Sequence, residues 1–153
     1  MMHSAVPELS LAIEQLVRFV RRLSPDTGLS LTAAATLSSL DRNGPARLTE
    51  LAVQQGVTQP AMTQLVTRLQ EAGLAERRPD PDDGRVVRVH LTDAGLTELS
   101  RRRGVRTERL GELFDRLTGE HQAALVAALP AIGALIASVP AAGPVAAGTR
   151  PPS

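Results

Sequence analysis

Apolar residues recur along the chain with more than one period, and each change of period marks the boundary of an element. Over residues 7–23, Leu9, Ile13, Leu16, Val17, Val20 and Leu23 fall at helical spacing, which predicts an amphipathic helix ended by Ser24-Pro25-Asp26-Thr27-Gly28. A second helix follows Ser30 as N-cap, turns Leu31, Ala34, Leu37 and Leu40 inward and stops at Asn43-Gly44-Pro45. Two short helices come next. Thr49 is placed to cap residues 50–55, which end at Gly56, and Thr58 to cap a helix that runs to about Ala72 and ends at Gly73. Two short helices across a glycine-containing turn predict a helix-turn-helix. In the second of them Met62, Leu65, Val66 and Leu69 share the inward face, so Pro60, Gln64, Thr67 and Arg68 look outward. Pro60 falls in the first turn, where its missing N–H costs nothing.

After Gly73 the period drops to that of a strand. Residues 74–78 and 86–91 predict two strands joined by Pro79-Asp80-Pro81-Asp82-Asp83-Gly84, a hairpin with an acidic, proline-stiffened tip. On the second strand Val87, Val89 and Leu91 should meet the core, and Arg88 and His90 the opposite side. Arg47-Leu48 is expected to add a short third strand. Thr92 then caps a long helix whose apolar stripe is Leu96, Leu99, Leu110, Leu113, Phe114 and Leu117. About 25 residues of helix would span roughly 38 Å, more than a small hairpin domain needs, so this helix must leave that domain and pack elsewhere. Thr118-Gly119-Glu120 starts a last helix through about Ser138, almost entirely Ala, Leu, Val and Ile, with Pro130 expected to kink it. A helix so uniformly apolar needs cover on most sides, and the chain offers little besides its first helix and the end of the long one. A second subunit is therefore expected to supply the rest.

A helix-turn-helix followed at once by a hairpin is a winged helix: one helix enters the major groove of DNA while the hairpin tip reaches the backbone or the adjacent minor groove. The expected fold class is mainly α with a small β wing (α+β), with the terminal helices forming a dimerisation lobe. Residues 1–29 carry the N-terminal helix of that lobe and residues 30–91 the DNA-binding lobe. Residues 92–138 hold the connecting helix and the last dimerisation helix, and residues 139–153 form a Pro/Ala/Gly-rich tail expected to be disordered. Leu9, Ile13, Leu16, Leu117, Leu125, Leu129, Ile132 and Ile136 are the expected dimer contacts.

Composition narrows the chemistry. Of 153 residues, 42% are hydrophobic and 22% charged, enough to bury one core, and Phe19 and Phe114 are the only aromatics in it. Cysteine is absent, which excludes disulfides, thiolate metal sites and thiol switching. The formal charge of +1 does not by itself call for an anionic partner, so the placement of charge has to decide. No basic-then-apolar leader opens the chain and no run of about 18 apolar residues interrupts it, so the expected location is cytoplasmic, with no membrane partner. His3, His90 and His121 are scattered, and neither an H-E-x-x-H motif nor a glycine-rich phosphate loop occurs. The chain is expected to be no enzyme and to hold no metal or cofactor. Asp80, Asp82 and Asp83 lack the remaining ligands of a calcium loop and are read as turn formers. Arg101, Arg102 and Arg103 occupy successive helical positions that cannot all face one partner, so at most one interdomain contact is expected of them.

Two stretches carry a family resemblance. LAERRPDPDDGRVVRVHLTDAG, residues 74–95, resembles the wing of MarR-family regulators: an arginine, then D-x-R, then a valine strand ending in L-T-x-x-G. Upstream, RLTELAVQQGVTQPAMTQLVTRLQEAGL resembles the two DNA-binding helices of the same family. The resemblance implies that Arg85 is the wing-tip arginine that enters the minor groove, that Asp83 orients it, and that the helix after Thr58 is the recognition helix. It also implies a homodimer on double-stranded DNA, repressing from a pseudo-palindromic operator and released by a small-molecule effector, often an aromatic anion, held between the two lobes. Gln64 stands where many relatives have a basic residue.

The candidate DNA-contacting residues are Thr58, Gln59, Pro60, Thr63, Gln64, Thr67, Arg68, Asp83, Arg85 and Arg88. Gln64 can pair with adenine through both its amide groups, Thr63 and Thr67 can reach phosphates or thymine methyls, and Arg68 can hold a phosphate or guanine. A different class of function gives the same pattern, a dimeric winged-helix module that binds another protein without direct DNA readout. The wing alone does not decide between them, since Arg77, Arg78, Arg85 and Arg88 are set against Asp80, Asp82 and Asp83.

Overall fold

The structure is a computed structural model that describes residues 2–26 and 28–139. The tail expected to be disordered, beyond Val139, lies outside the described residues. After a 3-10 turn at Met2–Ala5, α1 runs over Val6–Leu23 and α2 over Leu31–Asn43. There follow β1 (Ala46–Arg47), α3 (Leu48–Gln55), α4 (Gln59–Glu71), β2 (Ala75–Pro79) and β3 (Val87–Leu91). The chain continues in α5 (Asp93–Phe114) and α6 (Gly119–Ala137).

Caps set most of these limits. The Ser30 hydroxyl accepts the Ala33 N–H at 3.1 Å, and the Thr92 hydroxyl accepts the Gly95 N–H at 3.0 Å. At the end of α4, Gly73 takes φ 74°, which lets the Leu74 N–H turn back to the Leu69 carbonyl at 2.9 Å and directs the chain into β2. At α3 the start differs from expectation. Ala46 and Arg47 pair with Val89 and Arg88 of β3, one residue earlier than the expected third strand, and the helix begins directly after them. The Glu50 carboxylate accepts the Arg47 N–H at 2.8 Å, so Thr49 lies inside the helix and does not cap it.

The sheet order is β1-β3-β2, all antiparallel, with Ala75 opposite Leu91, Arg77 opposite Val89 and Pro79 opposite Val87. Its inner end closes one core with α2, α3, α4 and the start of α5, in which Leu37, Leu51, Met62, Val66 and Val89 are fully shielded from solvent. Side chains buried to this degree contribute about 1.5–3 kcal/mol each. Val87, expected on the core face, is exposed, because the hairpin has by then run past the helices.

One residue fixes how α5 leaves this core. A Cβ at Gly95 would overlap the Leu74 carbonyl oxygen and stand 2.7 Å from Leu91 Cδ1, so the first turn of α5 lies directly on the α4–β2 connection. The Thr92 hydroxyl donates to the Gly73 carbonyl at 2.6 Å across the same contact. Leu99 is buried, but Leu96, Leu110, Leu113 and Leu117 are exposed, so most of the predicted stripe stays outside the core. In α6 no residue is buried. That helix continues through Pro130 without interruption, and no polar side chain occurs over residues 123–137.

Candidate nucleic-acid interface

The helix expected to read DNA, α4, is packed on one side and open on the other. Inward, Met62, Leu65, Val66 and Leu69 enter the core as their spacing predicts, and at the N-terminus the Thr58 hydroxyl accepts the Ala61 N–H at 3.4 Å. Outward, Gln59, Pro60, Thr63, Gln64, Thr67 and Arg68 are all exposed. Thr63, Gln64, Thr67, Arg68 and Glu71 line a shallow groove of about 430 Å³. The threonines are not equivalent to the other residues there. Thr63 donates its hydroxyl to the Gln59 carbonyl at 3.0 Å, and Thr67 donates to the Thr63 carbonyl at 2.9 Å. Gln64 and Arg68 make no side-chain hydrogen bond among the described residues and stand one helical turn apart, open to a partner.

The wing tip is built by its aspartates. Asp80 is buried and accepts the Asp82 N–H at 2.9 Å, while Asp83 accepts the Arg85 N–H at 3.1 Å. The Val86 N–H closes the turn onto the Asp83 carbonyl at 2.9 Å. Asp83 was expected to orient the Arg85 side chain; it holds the backbone instead, and the exposed guanidinium has no partner among the described residues. Arg88, grouped by sequence with the DNA contacts, donates its Nε–H to the Asp80 carboxylate. The Asp82 amide and Arg88 together hold the Asp80 carboxyl below the usual carboxylate range, and Asp80 in turn raises the pKa of Arg88. On the same outer face of the sheet Arg78 pairs with Glu76. Of the wing's arginines, Arg85 is thus the one whose guanidinium stays unpaired among the described residues.

Sequence reasoning missed contacts that several arginines make with other elements of the chain. Arg77, half-buried on β2, reaches Gln70, Thr63 and Thr67 of α4. Arg109 donates to the Leu23 and Ser24 carbonyls at 3.3 and 3.4 Å, at the C-terminus of α1. In the run of three, Arg101 pairs with Glu98 on its own helix, as a solvated residue would. The other two exceed the single interdomain contact expected. Arg102 is buried, donates to the Pro25 carbonyl at 3.4 Å and has its pKa lowered by desolvation, and Arg103 pairs with Asp41 of α2 at 3.1 Å. The available signal was the seven-residue spacing of Arg102 and Arg109, two turns apart on one face. Where α1, α2 and α5 meet, a cleft of about 460 Å³ has Arg21, Leu29, Leu31, Thr32 and Arg102 in its wall. Among the described residues no group of three or more His, Cys, Asp or Glu side chains gathers to hold a metal ion.

The comparisons with known proteins agree with this geometry. Residues 27–86, from the turn before α2 to the wing tip, match the sequence profile described as MarR family. The chain is 31% identical over 129 residues to the HTH-type transcriptional regulator MT0903.1 of Mycobacterium tuberculosis, covering 84% of this chain and 90% of that protein. It is 30% identical over 99 residues to the HTH-type transcriptional repressor IacR of Pseudomonas putida, covering 65% of this chain and 59% of that one. The crystal structure of RV1404 from Mycobacterium tuberculosis superimposes with a TM-score of 0.76 at 25% identity, over 90% of this chain and 97% of that one. A winged helix whose tip arginine has no partner among the described residues, matched over both lobes by helix-turn-helix regulators, is no enzyme; the chain is a transcriptional regulator and belongs to the MarR family.

Proposed function

We propose that the protein is a homodimeric, cytoplasmic repressor that reads a pseudo-palindromic operator and is released by a small anionic effector. The observation that carries the DNA-binding mode is the Arg85 guanidinium, unpartnered among the described residues, on a wing whose other arginines are internally engaged. On this reading it enters a minor groove while Gln64 and Arg68 of α4 read the adjacent major groove. Residues 30–91 serve as the DNA-reading lobe.

Dimerisation is supported by the exposure of Leu9, Ile13, Leu16, Leu117, Leu125, Leu129, Ile132 and Ile136, the residues expected at the interface. By length and composition α6 is apolar enough to cross a membrane. Its stretch free of polar side chains is only residues 123–137, however, about 22 Å of helix against a hydrocarbon core of about 30 Å, which favours cover by a second subunit. Repression is supported by the likeness to IacR, which is named a repressor. The cleft at the junction of the lobes has the exposed Arg21 in its wall, a guanidinium that an anion can pair with. A ligand bound there would act by preferring a spacing of the two recognition helices that does not suit the operator.

The test is fluorescence anisotropy on DNA from upstream of the protein's own gene, titrated with salt. Tight binding that falls steeply with salt and weakens in Arg85→Ala supports the reading. Binding to a protein partner that ignores both salt and Arg85, with no bound fragment recovered from the genome, would establish the protein-interaction module in its place.

A further inference from the structure

Beyond the core they share, the recognition helix and the wing are tied by the hydrogen bonds of one side chain. Arg77 lies on β2 opposite Val89, on the face of the sheet that meets the core, where its guanidinium emerges against α4. Nη1 donates to Gln70 Oε1 at 2.9 Å, and Nη2 donates to both the Thr63 carbonyl at 3.2 Å and the Thr67 hydroxyl at 3.0 Å. These three acceptors span two turns of the recognition helix, so the planar fork fixes both position and rotation of the strand against the helix. The hairpin needs such a restraint. Its outer half has left the core, as exposed Val87 and its partner Pro79 show, and a two-stranded hairpin alone is marginal in water.

We infer that Arg77 is a positioning residue that bolts the wing to the recognition helix, so that Arg85 and Gln64 meet neighbouring grooves at a fixed separation, and that Arg77 is not itself a DNA contact. The bolt also narrows readout. With its hydroxyl hydrogen on the Thr63 carbonyl and its oxygen accepting from Arg77, Thr67 has little left to offer a base, and polar readout along this face falls to Gln64 and Arg68. The inference rests on the DNA-binding reading for its consequence and on the free protein for its geometry.

Both parts are testable. In the absence of DNA, 15N relaxation of wing residues 82–88 should change from rigid values, order parameters near about 0.85, to below about 0.6 in Arg77→Met. Arg77→Lys, which keeps the charge and loses the fork, should behave the same way. Gln70→Leu, which removes one acceptor and leaves the arginine in place, should loosen the wing partially and serves if the Arg77 variants fail to fold. On DNA, Arg77→Met should weaken binding by the same factor as Arg85→Ala, roughly 10- to 100-fold, and the double variant should be no worse than either single one. A direct phosphate contact would instead make the losses multiply and would let Arg77→Lys bind nearly as wild type does. A wing that stays rigid in Arg77→Met and Gln70→Leu overturns the bolt whether or not DNA is bound. A wild-type protein that binds no DNA overturns the proposed function and leaves the relaxation result to judge the bolt.

Discussion

Asp83 accepts the Arg85 backbone N–H at 3.1 Å and, among the described residues, forms no ion pair with the Arg85 guanidinium. The aspartate therefore acts on the path of the chain at the wing tip, and the arginine side chain stays available to solvent or to a groove. An asparagine can supply the same side-chain oxygen acceptor. Asp83→Asn should bind operator DNA nearly as wild type does, while Asp83→Ala should weaken binding by loosening the turn. Arg85→Ala should lower the slope of log affinity against log salt by about 1, the loss of one phosphate-scale contact. Equal losses in Asp83→Asn and Asp83→Ala would show instead that the carboxylate acts through its charge.

Gly95 is held to its identity by backbone. The first turn of α5 approaches so closely that a methyl group there would overlap the Leu74 carbonyl oxygen, an atom that cannot swing away as a side-chain tip can. Gly95→Ala should destabilise the fold by about 1–3 kcal/mol, the range for overpacking a filled site. Urea denaturation measures it directly. An unchanged midpoint would mean that α5 can shift outward without loss. The Leu-Thr-x-x-Gly signature thus has a structural meaning: Thr92 caps α5 and bonds the Gly73 carbonyl, and Gly95 lets the capped turn sit on that connection.

Elements governed by local rules were legible in the sequence. Ser30, Thr58 and Thr92 cap where their positions before an apolar repeat say they should, and the inward face of α4 follows from spacing alone. Thr49 misled because a strand pairing consumed the residues before it, and ladder bonds between residues about 40 apart leave no local trace. Val87 misled because alternation specifies which side of a sheet a residue faces and not whether a helix covers that side. The arginine contacts were the least legible. Arg77 and Arg88 have their partners on other elements, and nothing near either in sequence distinguishes it from Arg85, which has none among the described residues; for Arg102 and Arg109 only their shared helical face was a signal.

The exposed apolar faces of α1 and α6 make oligomeric state a sensitive readout. Leu16 and Ile132 are exposed and lie outside the core of the winged lobe, so a charge at either position should leave that lobe folded. In a dimer interface the same charge would be desolvated at a cost of several kcal/mol. Leu16→Glu and Ile132→Glu should therefore sediment as monomers at micromolar concentration, while wild type sediments as a dimer. Operator binding should fall with dimerisation, since one lobe reads only a half-site. Variants that remain dimeric would place the interface on other residues.

The Asp80–Arg88 pair gives the wing a defined pH limit. The Asp82 amide and then the Arg88 guanidinium hold the Asp80 carboxyl below its ordinary range, so the folded wing binds its proton less readily than the unfolded chain does. A group of this kind stabilises the fold fully above its unfolded pKa, about 3.9 for aspartate, and the stabilisation is lost as pH falls through the lower folded value. The wing should accordingly be unchanged from about pH 5 to pH 8 and should open only below about pH 3.9. Chemical shifts of the Val86 and Arg88 amides report this directly. Asp80→Asn should remove the acid transition and loosen the wing already at neutral pH, because the amide cannot pair with the Arg88 charge. An opening centred near pH 6 in the wild-type protein would assign the lock to a group other than a carboxylate.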